Sequence, residues 1–364
     1  MVDLLNSNYF IDGVQMPLSP ARMLRECTVQ PPLEPDGDPA TLSDEALDPV
    51  PGDASFPLSP TEYYPQKRQA LPLPFAGPFT VSKVAQALVD TIWLNGHFRL
   101  QDLVLKADWK WNAKSIGLPA AFYHSVEAAC DYVDALGLKF SHYNLSSGVP
   151  AVNFKALTVA EEAVEEEEED FLSESPSESP KMSRRRKAPS TLQPEPSDWL
   201  LYIPFDPCDF RLGGSTLAET TGTSPSTAPD VGDADYFMDC YEVVRELVED
   251  GVVKAGVTVG DGGLMTALRA FAGGAAGADI GIRDICRAYG GEDPLRVLFG
   301  EVPGVVIQIA DVDYDYVDAE LILEDVVYFP IGHPTLQHDG IEITEKVELP
   351  QILESLLNTL EGED

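Results

Sequence analysis

The sequence predicts a layered protein of mixed helices and strands, of the α+β or α/β class. Apolar residues make up 44% of the 364 residues, which is enough to bury a core in a chain of this length. Segments with helical periodicity alternate with short β-branched segments through the second half of the chain. Because proline-rich and highly charged stretches separate these segments, we expect two domains of ordinary size with tails.

The chain is strongly acidic, with 61 Asp and Glu residues against 24 Lys and Arg, and its formal net charge is −37. A charge of this sign repels phosphate backbones and anionic lipid surfaces. The negative charge therefore excludes nucleic acids and membranes as main partners, whereas basic proteins stay possible partners. No run of about 18 apolar residues is present, and residues 1–10 lack the features of a secretory signal. We therefore expect a cytoplasmic protein.

The cysteines and histidines show no spacing that predicts a reactive or metal-binding site. The five cysteines lack C-x-x-C spacing, so we predict that most are buried small apolar residues rather than disulfide partners or zinc ligands. The five histidines show no ligand pairing with a carboxylate and no nucleophile motif, so we predict surface or packing roles for them. These residues are Cys27, Cys130, Cys208, Cys240 and Cys286, and His97, His124, His142, His333 and His338.

Residues 1–78 are predicted to be a mostly disordered arm. Residues 1–80 hold 14 of the 30 prolines, and proline removes the N–H donors that helices and sheets need. Four apolar residues near the start admit two interpretations, a docked anchor or a floppy terminus, of which the second is favoured. They are Leu4, Leu5, Tyr9 and Phe10.

Residues 79–156 are predicted to be the first part of an α+β domain. Apolar residues recur at helical spacing over 81–92 and again over 120–136, where Gly137 follows as a left-handed cap. Between the two helices, residues 103–105 and the pair Trp109 and Trp111 indicate a strand that enters a loop.

Residues 157–191 are predicted to be a disordered insertion, because low hydrophobicity and blocks of like charge do not repay the entropy of ordering. The acidic run 165–170 is interpreted as a solvated loop, with capture of a basic tail as the alternative. The basic run 184–187 has two interpretations, a nuclear import signal or a partner for the neighbouring glutamates. Residues 192–232 are predicted to finish the first domain.

Residues 233–364 are predicted to form a second domain, preceded by a strand at 199–203. We expect a helix over 236–250 that Asp235 caps and Gly251 ends. Further strands are expected at 252–259, 305–309, 326–331 and 341–347, and further helices after Asp261, at 317–323 and through Leu360.

Several motifs resemble those of one enzyme family. The segment 211–218, R-L-G-G-S-T-L-A, is similar to the R-L-G-G-S-A-L-A signature of the phosphoribosylformylglycinamidine synthase family. Residues 103–111, 256–272 and 298–304 resemble other segments of that family in the same order. The resemblance implies the PurM-like fold, that of aminoimidazole ribonucleotide synthetase, with its N- and C-terminal domains. It corresponds to the second synthetase-like half, without the first half or the glutaminase.

The resemblance also implies a nucleotide site. The family uses ATP and magnesium to ligate an amide in purine biosynthesis, and its glycine motifs correspond here to Gly213, Gly214, Ser215, Asp261, Gly262 and Gly263. Glycines let the backbone approach a phosphate, and a helix start offers free N–H donors. The favoured alternative is that these glycines only permit turns and close packing, with Asp261 as either an N-cap or a ligand.

The match at the family's metal and phosphate ligands is incomplete. Gln86 stands for the family's acid and Asp90 for its amide, which leaves Asp90 as the candidate magnesium ligand. Residues 257–258 replace the family's His-Asp pair, and residues 141–147 replace a Gly-Lys-Asp-Ser loop and its lysine.

We therefore predict a diverged member that is non-catalytic on its own and has a structural or regulatory role; no catalytic residue is assigned. ATP and magnesium are expected only if the family site survives. One alternative is a working subunit of a split synthase that other chains complete with the first half and the glutaminase. Another is an interaction scaffold for a basic protein, as in viral tegument relatives. A homodimer is the remaining partner prediction.

Overall fold

The computed structural model describes residues 3–29, 71–94, 98–112, 117–158, 186–272 and 276–344. Within them the chain forms a β-hairpin, a three-stranded sheet and a six-stranded sheet with surrounding helices. Most of the predicted arm, most of the predicted insertion and the predicted terminal helix lie outside the described residues. The predicted domain boundaries stay predictions.

The first described segment packs against the body of the protein. Its elements are β1 (Phe10–Ile11), β2 (Val14–Gln15) and α1 (Pro20–Glu26). The side chains of Leu4 and Tyr9 are only 7% and 6% exposed, and the Tyr9 hydroxyl donates to the Leu4 carbonyl. The prediction of a floppy terminus is wrong here, because Leu4 and Tyr9 bury their apolar surface, although Phe10 is 68% exposed.

The first layer consists of two helices and the three-stranded sheet. The helices are α2 (Ala76–Val89) and α3 (Leu118–Ala135), and the strands are β3 (Leu103–Trp111), β4 (Phe140–Ser147) and β5 (Ala151–Thr158). Strand β3 lies in the middle, parallel to β4 and antiparallel to β5. The predicted helices and the left-handed Gly137 are confirmed.

One local prediction in this layer is wrong. Residues 141–147, which the resemblance sets in place of the family's Gly-Lys-Asp-Ser loop, belong to strand β4. Their backbone groups pair with β3, which itself extends to Trp111 rather than ending in a loop. Tertiary pairing therefore overrides the polar composition of this segment.

The second layer is the six-stranded sheet, with the order β11-β8-β10-β6-β9-β7. The strands are β6 (Trp199–Pro204), β7 (Val253–Val259), β8 (Gly277–Ile280), β9 (Gly304–Ile309), β10 (Phe329–Thr335) and β11 (Ile341–Ile343). Alternate residues of β6 and β9 enter two cores, one shared with α2 and α3 and one on the opposite face. The strand predicted over 326–331 corresponds to β10, which begins three residues later, at Phe329. Strand β8 was not predicted.

The helices of the second layer lie on both faces of this sheet. They are α4 (Thr216–Thr221), α5 (Ala234–Glu249), α6 (Gly263–Phe271), α7 (Arg283–Ala288), α8 (Pro294–Phe299) and α9 (Tyr314–Leu323). Short 3-10 turns stand at Leu73–Phe75, Asp90–Trp93, Leu100–Asp102 and Asp311–Asp313. The N-cap of α5 is Asp233, whose carboxylate accepts from the Tyr236 amide, and not Asp235 as predicted.

Two further predictions concern polar and small side chains. Residues 186–191, assigned to the insertion, are part of the described fold, since the Arg186 guanidinium donates to the Gly256 carbonyl and the Lys187 ammonium pairs with Glu249. All five cysteines are free thiols, and three of them are buried. No helix in the described ranges is long and apolar enough to cross a bilayer.

Candidate functional site

A narrow cleft lies where α2 meets the loop before α4 and the turn before α6. Its lining includes Lys83 and Gln86 from α2, residues 213–215, Asp261 and Glu301. The structure thus brings together Gly213, Gly214, Ser215 and Asp261, which the sequence resemblance had linked. The free volume is about 20 Å³, which is room for about one water molecule.

An ion pair crosses this cleft. The Lys83 ammonium lies 2.5 Å from Asp261 Oδ2, and the side chains are 20% and 6% exposed. The same ammonium donates to Gln86 Oε1 at 3.1 Å, because residues three apart share a helix face. Asp261 is not an N-cap, since Gly262 holds that position and no side-chain cap is formed there. Its carboxylate is therefore committed to a cation from the chain itself.

One of the residues that line the cleft, Glu301, places its buried carboxylate at two helix starts. Glu301 Oε1 accepts from the amide of Thr216 at 2.6 Å and from the amide of Gly262 at 2.8 Å. These amides begin α4 and adjoin the start of α6, and N–H groups at helix starts are natural anion sites. Glu301 was not among the predicted site residues. An acidic residue within an apolar run can indicate a buried carboxylate with internal partners.

The glycines next to this carboxylate are held by close packing. A side chain at Gly213 would place its Cβ 2.2 Å from the Thr227 carbonyl oxygen. Gly263 has a φ of +67°, and a Cβ there would lie 2.7 Å from the Leu298 carbonyl oxygen. Ser215 caps α4 by accepting from the Ala218 amide. These contacts support the packing interpretation, and a nucleotide role for the same residues stays a prediction.

Asp90 follows α2 and is not among the residues that line the cleft. The Thr258 hydroxyl donates to Asp90 Oδ1 at 2.6 Å, and the Trp93 indole N–H donates to the Thr258 hydroxyl at 2.8 Å. Burial raises the pKa of Asp90 above its usual value, against the opposing effects of the Thr258 hydrogen bond and the Arg186 and Lys83 charges. Burial also lowers the pKa of Arg186, to about 10.

The surroundings of Asp90 do not fit a magnesium ion. Magnesium requires near-octahedral oxygen coordination and usually retains several waters. Thr258 stands where the family has a carboxylate, and its hydroxyl uses the Asp90 oxygen directly. In the described part of the chain, the one group of three clustered His, Cys, Asp or Glu ligand atoms lies elsewhere, at Asp279, His338 and Glu342.

The chain is similar in sequence to known proteins. Residues 195–333 match the family model "AIR synthase related protein, C-terminal domain". The chain is 28% identical over 217 residues to human phosphoribosylformylglycinamidine synthase, and this match covers 59% of this chain and 15% of that protein. A probable chloroplastic or mitochondrial enzyme of this name from Arabidopsis thaliana is 32% identical over 137 residues, covering 37% of this chain and 9% of that protein.

The solved structures of Thermotoga maritima PurL share the fold. The complex with FGAR superimposes with a TM-score of 0.51 at 13% identity, covering 76% of this chain and 41% of that chain. The complex with AMPPCP gives a TM-score of 0.50 at 12% identity, covering 76% and 40%. This likeness confirms the predicted PurM-like α+β fold. The chain spans less than half the length of the PurL chains and a fifth or less of the curated relatives described above.

Proposed function

Because the chain is a diverged relative of the phosphoribosylformylglycinamidine synthases, a family of purine biosynthesis, we propose that it is a non-catalytic member with a structural or regulatory role. The observation that carries the proposal is the ion pair between Lys83 and Asp261 across a cleft of about 20 Å³. In this proposal, the cleft that the glycine motifs line is closed to a phosphate by charged side chains of the chain itself, Lys83, Asp261 and Glu301.

Nucleotide binding would break internal interactions that are costly to lose. A triphosphate in the cleft must compete with Asp261 for the Lys83 ammonium and with Glu301 for the Gly262 amide. Removing one partner of a buried ion pair costs about 3–5 kcal/mol, because the other charge is left uncompensated. The net charge of −37 adds repulsion. We therefore propose that ATP with magnesium does not bind at micromolar concentration.

Calorimetry tests this proposal directly. The purified chain is titrated with ATP and magnesium chloride, and with magnesium chloride alone as the reference. We expect the two titrations to give the same heats. Micromolar binding of ATP would contradict the proposal and favour the split-synthase alternative, for which the decisive assay is ligase activity on mixing with chains that carry the first half and the glutaminase.

The surface of α9 favours a second candidate function, an interaction scaffold for a basic partner. No Lys or Arg occurs between Arg296 and Lys346, whereas 11 Asp and Glu residues do. Large apolar side chains are exposed on and beside α9, with exposures of 86% for Val312, 59% for Ile322 and 74% for Leu323. A surface that combines acidic and apolar groups complements a basic amphipathic helix, which we propose as its occupant.

The test separates the apolar from the electrostatic contribution. The probe is a helix-forming peptide of Lys and Leu, compared with a Lys and Ser peptide of equal charge. The double variant Ile322→Ser, Leu323→Ser keeps the net charge, and we expect it to weaken binding of the Leu peptide more than about tenfold, given about 1.5–3 kcal/mol per buried apolar side chain. Equal binding of both peptides by the wild-type chain would contradict the proposal. Tighter peptide binding after deletion of residues 345–364 would show instead that the chain's own terminus covers the surface.

A further inference from the structure

Three potential metal ligands meet at the edge of the six-stranded sheet, and none of them lines the cleft. Asp279 lies on β8, Glu342 lies on the edge strand β11, and His338 lies in the turn between β10 and β11. One ligand atom from each lies within 4.8 Å of the other two. The family resemblance gives no role to these residues, and sequence spacing hid them because 59 residues separate Asp279 from His338.

The strand register places two like charges side by side. Strand β11 is parallel to β8, and Glu342 pairs directly with Asp279. Like charges on directly paired residues destabilise a sheet. The pairing holds only three residues at the sheet edge, so little other backbone bonding stabilises it. A cation between the carboxylates would convert this repulsion into attraction.

The histidine ring is oriented toward the same point. His338 Nε2 lies 3.1 Å from Asp279 Oδ1. Its Nδ1 is buried against the backbone, where a Cβ on Gly277 would come within 2.7 Å of it, and it has no hydrogen-bond partner in the described part of the chain. Nε2 is therefore the nitrogen that faces the two carboxylates and solvent. The hydrogen bond to Asp279, with the charges of Glu342 and Asp279, raises the pKa of His338 above its usual value.

We infer that Asp279, His338 and Glu342 form a binding site for a divalent transition-metal ion of the zinc type, which fixes β11 to β8. One imidazole nitrogen and two carboxylate oxygens are a donor set that zinc accepts at about 2.0–2.2 Å, with solvent in the remaining position. Magnesium and calcium prefer more oxygen ligands and no nitrogen, so they bind here more weakly. Both carboxylates are exposed, and their side chains are free to move the short distance that coordination requires.

Metal titration with a spectroscopic probe tests the site. The purified full chain, freed of metal with a chelator, is titrated with zinc by calorimetry and with cobalt(II) by visible absorption, which reports coordination geometry. We expect one equivalent to bind and expect His338→Ala and Glu342→Gln each to weaken binding at least tenfold, since even outer-sphere changes at metal sites cost about 10–100-fold. The control is His124→Ala, a histidine on α3 that also contacts a carboxylate, Glu127.

Hydrogen exchange adds a readout that does not depend on affinity. Zinc is expected to slow exchange of the backbone amides of β11 in the wild-type chain and to leave those of β3 unchanged. The same zinc addition is expected to have no effect on His338→Ala. Equal zinc affinity of the wild type and His338→Ala, or loss of binding in His124→Ala alone, would overturn the inference, as would unchanged exchange in β11.

Discussion

The acidic groups inside this protein and those on its surface have different partners. Asp261 and Glu301 are buried, and they accept from an ammonium and from backbone amides of the chain itself. Asp279 and Glu342 are exposed and lie side by side on paired strands. The interior carboxylates are matched by their own donors, whereas at the surface one imidazole, that of His338, stands beside two carboxylates.

This difference indicates which regions of the molecule can bind a ligand without losing internal interactions. A ligand at the cleft must replace charge partners that are in place and shielded from water, and the low dielectric of the interior makes each replacement costly. A cation or a basic segment at the surface displaces water, dissolved ions and, at Asp279, one solvent-exposed contact with His338. We therefore expect the chain to bind at its sheet edge and along α9 rather than at the inherited cleft.

The largest expected effect comes from removing the buried carboxylate of Glu301. In Glu301→Ala the amides of Thr216 and Gly262 lose their shared acceptor. We expect the free energy of unfolding to fall by about 3–5 kcal/mol, since hydrogen bonds to charged groups contribute about 1.5–3 kcal/mol each. Urea denaturation measures the change, and Glu324→Ala on the exposed end of α9 is the control. Equal losses in the two variants would remove the distinction between interior and surface.

A smaller effect of opposite sign is expected at Asp90. Because burial raises its folded-state pKa above 3.8, Asp90 favours folding most when it is protonated, and this contribution is lost as pH rises through the folded value. Asp90→Asn keeps an acceptor for Thr258 and should raise the free energy of unfolding at pH 7, by less than about 1 kcal/mol because Asp90 is exposed and solvent screens its charge.

The pH dependence provides the check on Asp90. The difference between Asp90→Asn and the wild type should shrink as the pH is lowered toward about 4, since the wild-type carboxyl then becomes neutral. Urea denaturation of both chains across this pH range measures it. A variant less stable than the wild type at pH 7 would show instead that the Asp90 charge is needed beside Arg186.

The smallest effect is expected at the exposed acids of α9. Asp315→Asn and Glu324→Gln each remove one charge from a strongly acidic surface, and exposed charges are well solvated. We expect each variant to change the free energy of unfolding by less than about 0.5 kcal/mol, with a slight gain that disappears in high salt. Thermal unfolding at low and high salt measures this. A loss above that size would mean that these acids have internal partners.

Much of the fold could be predicted from local sequence. Helices α2, α3 and α5 and strands β6, β7 and β9 were expected close to their observed bounds, because their apolar periodicity is strong and glycines mark several ends. Strand β4 was not, since its backbone pairing with β3 depends on residues more than 30 positions away. The short strand β8 has too few residues to show a period, whereas β11 begins at the predicted Ile341.

The candidate site, too, could be predicted only in part from the sequence. The glycine motifs pointed to the cleft, and the structure brings Gly213, Gly214, Ser215 and Asp261 together there. No local pattern indicates that Lys83 neutralises Asp261, because 178 residues separate them. The role of Glu301 as the acceptor for two helix starts was equally hidden.

The sequence by itself determined the α+β class, the acidic character, the order of the main helices and strands and the kinship carried by the R-L-G-G-S motif. These properties depend on composition or on residues close in the chain. Only the tertiary structure decided which charges meet. Ion pairs and clustered ligands form over a few ångströms, between residues that only folding brings together. The pair of Lys83 and Asp261 therefore cannot be seen in the sequence, and neither can the cluster of Asp279, His338 and Glu342.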